Sequence, residues 1–144
     1  DSFDHKNYWK GKITGSRLKW QNALSSADYK ENHFFKLSYN VSIPPEIGQL
    51  QDVVYLQLNG LELAMLPPEI GTLKNLKTID LARNRLTTLP ATFWNLTQLE
   101  VLYLNGNRLT QVPPEAANLK QLKHLYLNAN PLHQMSKTDW DFLK

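Results

Sequence analysis

Residues 76–98 read LKTIDLARNRLTTLPATFWNLTQ, and residues 99–121 read LEVLYLNGNRLTQVPPEAANLKQ. Laid one over the other, Leu76 falls on Leu99, Leu81 on Leu104 and Asn84 on Asn107, each pair 23 residues apart. A third copy opens at Leu122 with LKHLYLNANPLHQM and adds Leu127 and Asn130 to the same register. An earlier copy, VVYLQLNGLELAMLPPEIGTLKN, starts at Val53 and carries Leu61 where the asparagine is due. A fixed period of this size means one supersecondary unit stacked on copies of itself, so the expected fold is a solenoid. Ahead of these copies, HFFKLSYNVSIPPEIGQL (residues 33–50) keeps the Pro-Pro-Glu-Ile-Gly end. Its front half either lacks two residues or has lost the register, and Ser38 or Asn40 must serve there in place of the ladder asparagine.

Each unit contains an apolar alternation such as Ile79-x-Leu81, the pattern of a short strand with one face buried. The asparagine follows where the chain turns out of the strand. A buried amide needs partners, and an Asn side chain can accept and donate at once to satisfy turn backbone. Asn84, Asn107 and Asn130 are therefore expected to form a structural ladder along the solenoid, with Leu61 as a break in it. Pro44, Pro67, Pro90 and Pro113 recur at the next corner, where a fixed φ and a missing donor are tolerated. The return segment offers Ile47, Ile70, Phe93 and Ala116 at one core position, and Leu50, Leu73, Leu96 and Leu119 at another. Trp94 replaces the glycine found at Gly48 and Gly71, and is read as folding over the adjacent segment or as marking a second contact patch.

The pattern L-x-x-L-x-L-x-x-N-x-L-x-x-L-P-x-x-I-G-x-L over about residues 34–132 resembles the leucine-rich repeat family, in its 23-residue LPxxIGxL class. That class is known from intracellular signalling scaffolds and many bacterial proteins. The resemblance implies an α/β horseshoe with parallel strands on the concave face and irregular, helical or 3-10 segments on the convex one. It also implies protein binding, either as a free-standing module or as the scaffold portion of a larger bacterial effector or signalling protein.

An open solenoid exposes the edge of its last repeat, so caps are expected at both ends of about four to five repeats. Residues 1–33 fall outside the repeat and supply the amino-terminal cap. There Trp20, Ala23, Leu24 and Ala27 form one helical stripe behind a Ser16 N-cap, with Trp9, Ile13 and Leu18 as further cover. Residues 133–144 supply the carboxy-terminal cap, with a helix start at Ser136 and with Trp140 and Leu143 on one face. The whole is expected to be one structural domain.

The totals exclude several classes. The chain has no cysteine, which removes disulfides, thiolate metal sites and a thiol nucleophile. This fits a reducing cytoplasm, and also a bacterial protein exported with a signal segment removed; the start at Asp1-Ser2 without an initiator Met fits removal of a targeting segment and trimming of the sequence equally. A net charge of +3 without any long basic run argues against nucleic acid, and no apolar stretch is long enough for membrane insertion. His5, His33 and His133 have no companion at metal-ligand spacing, so neither metal nor cofactor is expected. A hydrolytic triad fails on distance: His124 and Asp80 lie two strands apart, roughly 10 Å by the strand spacing. The chain is read as a non-enzyme.

Residues that alternate with the buried leucines point into the concavity. They form three columns: Tyr55, Thr78, Val101 and His124; then Gln57, Asp80, Tyr103 and Tyr126; then Asn59, Ala82, Asn105 and Asn128. Phe34 and Lys36 extend the first two columns. Tyrosine brings large contact area with a polar tip at low entropic cost, which suits recognition. The expected partner is another protein, bound by Tyr55, Asp80, Tyr103, His124 and Tyr126 with the amides as a polar surround. Glycan or small-ligand binding on the same face is the alternative, and the chain itself is expected to be monomeric or weakly self-associating. Lys77, Glu100 and Lys123 alternate in charge along one flank and read as a ladder of cross-strand pairs.

Overall fold

The computed structural model describes residues 34–36 and 43–133. The two cap assignments, residues 1–33 and nearly all of 133–144, lie outside the described residues, as do Ser38 and Asn40. Five strands form one parallel sheet in chain order: β1 (Phe34–Lys36), β2 (Tyr55–Gln57), β3 (Thr78–Asp80), β4 (Val101–Tyr103) and β5 (His124–Tyr126). Each strand is three residues long because its apolar alternation is that short. The pairing extends beyond it, with Leu81 N–H donating to the Tyr103 carbonyl at 2.9 Å and Arg83 N–H to Asn105 at 2.8 Å. The register is constant, Tyr55 opposite Thr78, Thr78 opposite Val101 and Val101 opposite His124, and Phe34 opposite Tyr55 extends it to β1.

Between strands the chain returns through four 3-10 segments, Pro45–Gln49, Pro68–Thr72, Ala91–Asn95 and Pro114–Asn118. Each is preceded by a proline in extended conformation, Pro44, Pro67, Pro90 or Pro113, whose missing donor costs nothing at that corner. Strand on one face and 3-10 segment on the other make the expected α/β leucine-rich solenoid. Its core is a continuous file of side chains, with Val53, Leu56, Ile70, Leu76, Ile79, Leu81, Phe93 and Leu99 wholly shielded from solvent. Each such side chain contributes about 1.5–3 kcal/mol. In the last repeat Leu122, Leu125, Leu127 and Leu132 are half-buried, since no further repeat covers them among the described residues.

Two local features depend on the repeat geometry. Residues 60, 83, 106 and 129, just ahead of the asparagine slot, all take a left-handed backbone, with φ of +67°, +56°, +73° and +60°. Glycine suits Gly60 and Gly106, whereas Arg83 and Ala129 are held there against their preference. On the return side, a Cβ on Gly71 would meet the Thr92 carbonyl oxygen at 2.3 Å, so glycine sets how closely those segments approach. Trp94, in the next equivalent position, is 5% exposed and packs edge-on to Phe93 at 5.2 Å. It lines an apolar pocket with Ala116, which stands where the earlier repeats carry Ile47, Ile70 and Phe93. Of the two expectations for Trp94, packing is the one its burial supports.

Candidate partner-binding face

The asparagine turns fix the floor of this face. Asn84 Oδ1 accepts from the Leu61 and Leu63 amides at 2.9 and 3.0 Å, while its Nδ2 donates to the Leu58 and Leu81 carbonyls at 3.0 Å each. Asn107 repeats the arrangement one unit on, accepting from Leu86 N–H at 3.0 Å and donating to Leu81 and Leu104 at 2.9 and 3.0 Å. Asn130 accepts from Leu109 N–H at 3.0 Å and donates to Leu104 and Leu127 at 2.8 and 3.0 Å. Each amide thus ties its own turn to the turn before it, and the ladder runs through the backbone. Leu61 places its side chain in the core, and its N–H is served from Asn84, so the turn it occupies is not left unsatisfied.

Above that floor the columns face the concavity. Tyr103 and Tyr126, side by side on β4 and β5, stack with ring centroids 4.7 Å apart and planes 4° from parallel. The separation matches the distance between parallel strands, so the sheet itself sets the stack. His124, two residues before Tyr126 and on the same face, lies 6.4 Å from that ring at 19°. Tyr126 is 41% exposed and Tyr55 is 38% exposed. Burial, then the Asp80 carboxylate and Tyr103, push the Tyr55 hydroxyl above its ordinary 10.0, which places these three side chains in one electrostatic neighbourhood. Asp80 Oδ1 accepts from Ala82 N–H at 3.0 Å and so also shapes its own turn.

Gln57, Thr78, Val101, Asn59 and Asn105 are half-buried, and Asn128 is exposed. Ala82, expected in the outward column, is 4% exposed: its single methyl lies recessed between Asn59 and Asn105. The charge ladder on the flank is reduced to one rung among the described residues, Lys123 to Glu100 at 3.6 Å, with Lys77 outside it. On the other flank Arg85 pairs with Glu62. Arg83 and Arg108, in the turns after β3 and β4, are exposed and stand outside the columns expected from the sequence. Gly60 and Gly106 were the available signal for Arg83, since they mark its column as a left-handed turn position.

No described helix is long and apolar enough to cross a membrane, and no group of three His, Asp or Glu converges among the described residues to hold a metal.

A profile described as a leucine-rich repeat region matches residues 36–140. Among solved structures, a leucine-rich repeat protein of Leptospira interrogans is 38% identical with a TM-score of 0.63, over 70% of this chain and 25% of that one. A plant peptide hormone receptor, RGFR1, solved in complex with RGF2, is 32% identical with a TM-score of 0.57, over 69% and 15% respectively. An internalin of Listeria monocytogenes shares the fold, at 20% identity and a TM-score of 0.65 over 77% and 31%. This chain therefore spans less than a third of the length of each. Among curated proteins, none matches the sequence. The 23-residue register, the asparagine-bonded turns and these likenesses lead to one conclusion: the chain belongs to the leucine-rich repeat family.

Proposed function

We propose that this chain is a non-catalytic recognition module whose concave sheet binds another protein, with Tyr55, Asp80, Tyr103, His124 and Tyr126 at the energetic centre. Leucine-rich repeat proteins are in general protein-interaction modules, and the plant receptor resembled by this chain was solved with a bound partner. The observation that carries the reading is the Tyr103–Tyr126 stack at 4.7 Å with Tyr126 left exposed. Two aromatic rings held in register by the backbone lose little freedom on binding, and a few central aromatics usually supply most interface energy. Gln57, Asn59, Thr78, Val101, Asn105 and Asn128 surround them with amide, hydroxyl and methyl groups suited to a polypeptide surface. In the same proposal the repeats span residues 34–132, flanked by caps at 1–33 and 133–144, and the bacterial neighbours support a bacterial origin.

The test is affinity capture with the intact chain beside a folded Tyr103→Ala/Tyr126→Ala variant. A protein held by the first and lost by the second is the expected result. Equal recovery from both would remove the concave aromatics as the site.

A further inference from the structure

Charge is divided between the two sides of the described repeats. Residues 43–133 carry seven cationic and seven anionic side chains, so this body is formally neutral with histidine uncharged. The strand side, including both flanks, holds Lys77, Arg83, Arg85, Arg108 and Lys123 against Asp52, which lines one pocket with Lys77, and Glu62, Asp80 and Glu100, a balance of +1. The return segments and the turns after them hold two lysines against three carboxylates, a balance of −1. Internal pairing sharpens the contrast. Arg85 is engaged by Glu62 and Lys123 by Glu100, while Arg83 and Arg108 have no carboxylate partner among the described residues. Asp80 turns one oxygen toward Ala82 N–H.

Arg83 is placed with particular care. It occupies a left-handed position that the neighbouring repeats give to Gly60 and Gly106, and a Cβ on Gly106 would lie 3.3 Å from its Cα and Cγ. The absent side chain at 106 leaves room for the arginine stem across the next repeat. Arg108 lies in that next repeat, two residues beyond Gly106 on the same flank, and both arginines are exposed. We infer that the concave face takes an acidic polypeptide segment, its carboxylates received by Arg83 and Arg108 on one flank and its side chains against the Tyr103–Tyr126 stack. This rests on the concave reading above and names the chemistry of its partner. A polypeptide fits better than nucleic acid because the free cations are few, whereas the amides of Gln57, Asn59, Asn105 and Asn128 match backbone donors and acceptors. Guanidinium–carboxylate pairs can be bidentate, which adds orientation to attraction.

The test uses a fluorescein-labelled random copolymer of glutamate and tyrosine, its lysine–tyrosine counterpart and an oligo(dT) strand of similar charge. Fluorescence anisotropy is read at low and moderate salt. The intact chain is expected to bind the acidic copolymer at least tenfold more tightly than the basic one or the oligonucleotide, and to lose affinity as salt screens the pairs. Arg83→Glu/Arg108→Glu should weaken binding at least tenfold, while Lys74→Glu/Lys120→Glu, on the return side, should change it less than twofold. Circular dichroism confirms that each variant is folded. Failure to bind the acidic copolymer, equal binding of oligo(dT), or indifference to Arg83 and Arg108 each overturns the inference. If a captured native partner is lost with Tyr103→Ala/Tyr126→Ala yet retained by Arg83→Glu/Arg108→Glu, the concave site stands and the acidic partner falls. If copolymer binding needs the arginines but survives loss of both tyrosines, the acidic partner stands and the aromatic centre falls.

Discussion

Replacing Asn107 by alanine tests the amide ladder at a buried interior rung. The side chain is 6% exposed and makes three hydrogen bonds to backbone, at 2.9–3.0 Å. Its removal does not affect all three partners equally. The Leu81 carbonyl keeps Asn84, and the Leu104 carbonyl keeps Asn130, so each retains one donor. Leu86 N–H has no such reserve and becomes a buried donor without an acceptor. An orphaned donor costs about 1–3 kcal/mol, and two weakened carbonyls add about 1 kcal/mol more, for a total of about 2–4 kcal/mol. Urea unfolding followed by far-ultraviolet circular dichroism measures this, with the m-value checking that the unfolding unit is unchanged. Asn130→Ala provides the internal scale: its site is half-buried, water can replace the amide, and about 1 kcal/mol is expected. Asn107→Asp separates the two halves of the amide, since it keeps the acceptor for Leu86 but turns a carboxylate on two carbonyls. That variant should be more stable than Asn107→Ala near pH 4, where the neutral acid still accepts from Leu86 N–H and can donate to one carbonyl, and should lose stability toward pH 7, because its proton is held more tightly when folded. A loss below 1 kcal/mol for Asn107→Ala would refute the account of the turn.

Three further outcomes follow from single positions. Gly71→Ala drives a methyl into the Thr92 carbonyl and should cost about 1–3 kcal/mol by thermal or urea unfolding, whereas Gly60→Ala meets open space and should cost about 1 kcal/mol for its left-handed backbone alone. Equal losses would show that the return segments are not packed to their limit. Arg83→Gly relieves a left-handed φ of +56° and should raise stability by about 1 kcal/mol while weakening the acidic copolymer, so a destabilised variant would contradict the assignment of strain to Arg83. For Tyr55, ring carbon shifts in a tyrosine-labelled sample should titrate above pH 10.0, and Asp80→Asn should lower the midpoint without restoring the ordinary value, because burial is the larger cause. A folded-state pKa above the unfolded one means that this stabilisation is present below pH 10.0 and is lost as pH rises through the raised value. No movement on Asp80→Asn would detach the carboxylate from the tyrosine cluster.

Much of this protein could be read directly from its spacing. Leu76, Leu99 and Leu122 at one interval require a stacked unit, and the alternation within each unit decides which side chains face the core. Once the strands are parallel and in register, the concave columns follow, and Tyr103 beside Tyr126 is already implied. Trp94 resisted this reading because a repeat register assigns it a column but not its neighbours. It packs on Phe93 and lines an apolar pocket with Ala116 of the next repeat, neighbours that a column position does not name. Ala82 and Lys77 failed for a related reason: the pattern gives direction, while recession between longer neighbours and reach to a carboxylate depend on side-chain geometry.

The sequence by itself determined the period, the parallel solenoid, the proline corners and the identity of the outward columns, because stacking identical units leaves the backbone little choice. Tertiary structure decided which groups are spent internally and which are free. Glu62 pairs with Arg85 and Glu100 with Lys123, leaving Arg83 and Arg108 without a carboxylate partner among the described residues, on a face whose total charge looked unremarkable. A linear count adds charges without regard to position, whereas the field a partner meets depends on which of them lie within a few ångströms of an opposite charge.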